Sequence, residues 1–144
     1  MTTPPMRADA PIDLVRVRSA ADAAAWLDDR AAEHLAGAHA EPSPDHARGL
    51  RLAASTLQAI AVVSREWRDD VEAADGLTQL AHNYPPMTAD ERQHTERYYR
   101  LACRHIADAL RQVSDQLNHA TGPQRLRSAP VEIALRPIGQ GRDL

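Results

Sequence analysis

Apolar positions along the chain fall mostly on helical rather than strand spacing. Between Pro44 and Gly76, Leu50, Leu57, Ser64 and Val71 recur every seven residues, and Ala53, Ile60, Trp67 and Ala74 follow each of them by three. That pattern predicts one long helix over 45–75. Its main stripe is Leu50, Ala53, Ala54, Leu57, Ile60, Ala61, Ser64 and Val71. Leu52, Ala59, Val63 and Trp67 widen the stripe to an arc of about 200°, against the ~100° of a helix buried on one side. The excess predicts a second neighbour for this helix, within the chain or on another copy.

Two further helices flank it. Ala20, Ala23, Ala24, Leu27, Ala31, Leu35 and Ala38 share a face and predict a helix over 19–39, opened by Ser19 with Asp22 in the fourth position of a capping box. Thr88 and Glu91 form a full capping box, and Thr95, Tyr99, Ala102, Ile106, Ala109, Leu110, Val113 and Leu117 predict a helix over 89–119. Thr121-Gly122-Pro123 should end it. Glu41-Pro42-Ser43-Pro44 reads as a turn, with Ser43 as N-cap and Pro44 at the first helical position. Gly76 should break the central helix, leaving a short helical turn near 77–82 before Tyr84-Pro85-Pro86. The proline-containing residues 1–11 read as a disordered tail. Ile12–Arg18 and Val131–Arg136 are β-branched or alternating, so the two tails could pair as short strands. The expected architecture is all-α: a three-helix antiparallel bundle over 12–120, followed by an extended C-terminal segment over 121–144.

Composition narrows the function classes. The chain has 144 residues, a net charge of −3 and a single cysteine, so one domain without an intramolecular disulfide is expected. A cytoplasmic setting suits that cysteine usage. No run approaches the ~20 apolar residues of a membrane helix. All seventeen basic residues are arginine. The acidic net charge argues against a dedicated nucleic-acid binder.

Candidate chemistry concentrates on the third helix. Arg97, Arg100, Arg104 and Arg111 fall within about 60° of one another on its outer face. Such a stripe can match a phosphate backbone or an acidic helix, or stand simply solvated. Beside it run His94, Tyr98, Leu101, His105 and Asp108, a candidate second contact surface. Seven histidines raise the question of a metal, and Glu91-x-x-His94 has the spacing used in di-iron bundles. The second such motif and the inward glutamates those sites need are missing, so neither metal nor cofactor is expected. Arg100-Leu101-Ala102-Cys103-Arg104-His105 resembles the Arg-x4-His signature of the HEPN family of all-α ribonucleases and nucleotide-binding domains. The resemblance implies that Arg100 and His105 act on RNA phosphodiesters, usually across a dimer; Leu101 departs from the polar residue usual after the arginine. Cys103, at the edge of a core face, reads as packing rather than nucleophile.

The leading expectation is a non-enzymatic helical interaction or adaptor protein that self-associates through Leu52, Ala59, Val63 and Trp67. A second reading is an RNA- or nucleotide-directed protein using the arginine stripe. A third is a small-ligand-binding bundle with Trp26, Trp67 and the tyrosines around a pocket.

Overall fold

The computed structural model describes residues 17–140, with side chains to residue 126. It is all-α: among the described residues there are five helices and no strand. They are α1 (Ala20–Ala40), α2 (Pro44–Ser64), α3 (Asp70–His82), α4 (Ala89–Gln93) and α5 (Arg97–Gln140). Each of the first four opens on a side-chain cap. The hydroxyl of Ser19 accepts from the Asp22 amide, and that of Ser43 accepts from the His46 amide with Pro44 just inside. Thr88 and Glu91 complete the capping box. These three helix starts are where the sequence pattern put them.

α1 packs most extensively on α2, while α5 lies along both α2 and α3. Gly37 of α1 faces Leu50 of α2, and Asp28 of α1 bonds Arg65 just after α2 at 2.6 Å. The core these helices enclose is small-residue rich. Ala23, Ala24, Ala31, Ala53, Ala54, Ala73, Ala74, Ala102 and Ala109 are fully buried, and Leu27, Leu57, Leu77, Leu110, Val113 and Leu117 supply most of its bulk. Alanine lets helix axes approach closely, so a modest apolar volume suffices to close the core.

Three expectations about helix boundaries are corrected. The central helix does not run over 45–75; it stops at Ser64, and α3 begins at Asp70. Arg65 and Glu66 close tight terminal turns onto Ala61, Val62 and Val63 carbonyls, and the Asp69 carboxylate caps α3 by accepting from the Glu72 amide at 2.8 Å. Trp67 thereby leaves the helical path and lies against Gly76, where a Cβ would collide with its ring. Gly76 is thus a seat for the indole inside α3 rather than a helix breaker, and the short turn expected near 77–82 is the second half of α3. Asp70 also accepts from the Ala20 amide at 2.8 Å, which ties the start of α3 to the start of α1.

The second correction concerns the helix expected over 89–119. It is interrupted at His94–Glu96. The Thr95 hydroxyl donates to the Glu91 carbonyl, and the Arg100 guanidinium donates to the Arg92 and Thr95 carbonyls at 2.7 and 2.8 Å. Side chains there take carbonyls that a continuing helix would have used. Tyr99, expected on the core face, is 46% exposed as a result.

Third, Thr121-Gly122-Pro123 does not end the last helix. α5 continues to Gln140, so the expected extended segment over 121–140, including 131–136, is helical. Pro123, Pro130 and Pro137 each remove a donor from the ladder, and side-chain bonds hold the stretch around Pro123 in register. Buried Thr121 donates to the Leu117 carbonyl, Asn118 donates to Thr78, and Arg125 donates to Asp75 at 2.6 Å. The tail at 1–11, most of the segment 12–18 that was expected to pair with 131–136, and residues 141–144 lie outside the described residues.

Candidate functional site

The Tyr84–Thr95 connection folds back along α5 because arginines hold its carbonyls. Arg92 donates to the Met87 carbonyl at 2.7 Å, Arg111 to that of Tyr84 at 3.3 Å, and Arg100 to those of Arg92 and Thr95. Between this connection and α5 lies a cleft of about 330 Å³. Arg92, Arg100, Arg104 and Arg111 line it together with Cys103, and Tyr84, Pro85, Pro86, Met87 and Ala107 supply its less polar wall. No carboxylate is among the described residues that line it; Asp108, outside the lining, approaches Arg111 at 3.6 Å. Arg104 is exposed and has no hydrogen-bond or ion-pair partner among the described residues. The result is a concave surface lined by four guanidinium groups and by apolar side chains.

The neutral groups in the cleft stay neutral. Burial raises the Cys103 thiol above its usual range, although a hydrogen bond with Tyr99 partly offsets it. Burial, reinforced by Cys103, raises the Tyr84 phenol. Neither group adds negative charge near neutral pH, and a protonated Cys103 is a poor nucleophile.

Three of the four stripe arginines read from the sequence, Arg100, Arg104 and Arg111, meet in this cleft, while Arg97 does not line it. Arg92 was missed. It sits on a separate short helix, and its approach to the stripe depends on the return of the Tyr84–Met87 turn, which helical periodicity cannot report. Of the residues proposed for self-association, Leu52 and Trp67 are partly buried and pack on the core. Ala59 and Val63 remain on the surface, joined by Val62; Val62 is 58% and Val63 49% exposed.

Arg100 and His105 do not share a site. Arg100 is turned to the α4–α5 junction, whereas His105 enters the seam between α5, α1 and α2. There its ring stands 4.9 Å from that of His34 and 6.0 Å from that of His46. Glu41 approaches His46 at 3.2 Å. Among the described residues no group of three histidine, cysteine or acidic side chains is arranged to hold a metal ion. Glu91 and His94 of the di-iron-like spacing are both exposed.

The histidine seam makes stability depend on pH. Burial first, then the charges of His105 and Arg30, hold the His34 imidazole down to about 4. Its Nε2 is buried without a hydrogen-bond partner. Burial and His46 also lower His105, with Asp108 opposing. In the unfolded chain a histidine titrates near 6.5. The unfolded state therefore binds protons between about 6.5 and 4 that folded His34 refuses, so stability is complete above that window and is lost as pH falls through it. Allowing for the partial exposure of the ring, the loss is roughly 1–2 kcal/mol. The urea midpoint of the native chain should fall relative to that of His34→Gln as pH falls from about 6.5 toward about 4.5. Parallel curves would show that His34 does not carry the effect.

No protein-family model, curated protein or solved structure matches the chain.

Proposed function

We propose that this chain is a non-enzymatic binding protein that recognises an anionic ligand in the cleft between α5 and the Tyr84–Thr95 connection. The observation that carries this reading is the gathering of Arg92, Arg100, Arg104 and Arg111 around one concavity with no carboxylate among its described lining residues. Guanidinium groups bind carboxylates and phosphates through paired, charge-assisted hydrogen bonds. Its described lining offers no activated nucleophile and no histidine, which favours recognition over turnover.

Thermal unfolding with added pyrophosphate tests the reading. At about 100 times its dissociation constant, a ligand that binds only the folded state adds ~2.7 kcal/mol, enough to raise Tm by several degrees. The rise should shrink with added salt and vanish in the double variant Arg104→Ala, Arg111→Ala. No rise with pyrophosphate or any other small polyanion would end the proposal.

Self-association is a second reading, favoured by the exposed Val62 and Val63 beside Ala59 at the end of α2. In that reading a second copy covers these residues, and Val63→Glu with Val62→Glu yields a monomer in sedimentation. A native chain that sediments as a monomer at high concentration would dismiss it.

A further inference from the structure

The geometry points to a small phosphate monoester, a phosphate group on an apolar or aromatic body, as the ligand of the arginine cleft; this rests on the anion-binding reading above. Charge comes first. Four guanidinium groups line the cleft, and among the described residues the one ion pair they make is that of Arg111 with Asp108. A monocarboxylate would leave most of that positive charge unmet. A phosphate monoester brings close to two negative charges at neutral pH and three acceptor oxygens, which suit several guanidinium forks at once.

The fixed positions of the arginines favour the same ligand. Arg92 spends one donor group on a backbone carbonyl, Arg100 spends Nη1 on two, and Arg111 spends Nη2 on one while Nη1 faces Asp108; the remaining N–H groups of each fork are left for a ligand. Their side chains are held before a ligand arrives, which lowers the ordering cost of binding. Arg104 carries no such tie and is the arginine able to close on a bound phosphate. The raised pKa of Tyr84 keeps its hydroxyl protonated, a further donor at the cleft wall.

Shape selects the body of the ligand. Pro85, Pro86, Met87 and Ala107 give a surface on which a flat or apolar group can lie. At about 330 Å³ the cleft is at the small end of ligand pockets, which run from roughly 300 to 1,000 Å³. One monomer fits such a space; a polymer backbone would need a groove continuing past it. Arg97, the remaining member of the stripe, lies outside the lining and does not extend the cleft into a track.

Titration calorimetry on the full chain with four probes tests this: phenyl phosphate, inorganic phosphate, benzoate and a short single-stranded RNA. Phenyl phosphate should bind at least about tenfold more tightly than benzoate or inorganic phosphate, with affinity falling as salt rises. Arg104→Ala should weaken it by about tenfold or more, and Arg104→Lys should restore part of the loss, because lysine keeps the charge but not the fork. Arg104 is exposed and makes no hydrogen bond or ion pair among the described residues, so circular dichroism melts of both variants should match the native chain. Benzoate binding as tightly as phenyl phosphate would overturn the phosphate class and leave the anion reading standing. RNA binding more tightly than phenyl phosphate, through the same Arg104, would replace the small molecule with a polymer. Failure of all four probes, and of pyrophosphate, would overturn the class and the anion reading together.

Discussion

Leu110→Ala is expected to destabilise the fold by roughly 3–5 kcal/mol, at the upper end of what leucine truncation costs in a core. Leu110 is fully buried on α5, in one core cluster with residues from α1, α2 and α3. The reason for placing it high in the range is the composition of its surroundings. A cavity is cheapest where large neighbours can swing into it. Here most neighbouring core positions are alanines, which have no rotamers with which to fill space. Total stability for a domain of this kind is about 5–15 kcal/mol, so the loss is a large share of it. Urea denaturation should show a lower midpoint with an unchanged slope. A loss below about 1 kcal/mol would mean that the helices collapse onto the void, and that this alanine-rich core is more plastic than its packing suggests.

The second large effect has an unusual sign. Replacing a glycine inside a helix with alanine normally stabilises by about 1 kcal/mol. Gly49→Ala is expected instead to destabilise by roughly 1–3 kcal/mol, because the added carbon has nowhere to go. It would stand 2.8 Å from the carbonyl oxygen of Tyr98 and 3.1 Å from Cβ of Leu101. The first of these is backbone, so relief requires α2 and α5 to separate. That separation would loosen the histidine seam on the one hand and the start of α5, with its arginines, on the other. Gly37→Ala is the internal control. Its added carbon would meet only Leu50 Cδ1 at 3.5 Å, an ordinary contact, so the usual gain of about 1 kcal/mol should appear. Thermal melts of the two variants should therefore move in opposite directions. A stabilised Gly49→Ala would show that the α2–α5 approach is looser than the backbone contact implies.

Much of the helix framework is written in local chemistry. Ser19, Ser43 with Pro44, and Thr88 with Glu91 announce three helix starts, because a cap is an interaction between residues three apart. The core-facing alanines and leucines of α1, α2 and the middle of α5 are equally legible, since burial of one face imposes its period on the sequence. The arginine stripe could be read for the same reason: three of its four members, on one helix, reach the cleft.

What could not be read locally are the places where two local preferences compete and a distant contact chooses between them. The heptad spacing through Ser64 and Val71 supports a continuous helix, yet Asp69 with Glu72 supports a new start. The contact of Trp67 with Gly76 and the bond of Asp70 to the Ala20 amide favour the break. At Gly122-Pro123 the local signal says stop, and bonds from Asn118 to Thr78 and Arg125 to Asp75 hold the helix against α3. The resemblance at Arg100 and His105 dissolves on the same ground. Five residues apart on a helix they face different neighbours, one the carbonyls of Arg92 and Thr95 and the other two histidines.

The sequence by itself determined that the chain is helical, where three helices begin, which small residues form its core, and that α5 carries a row of arginines. These follow from interactions spanning a few residues or from one repeating face. Only the tertiary structure decided that the central helix divides, that α5 runs through three prolines, that three histidines meet in one seam, and that Arg92 joins the row to enclose a cleft. Each of these joins residues from separate helices or connections, and no local pattern records which distant side chain will arrive.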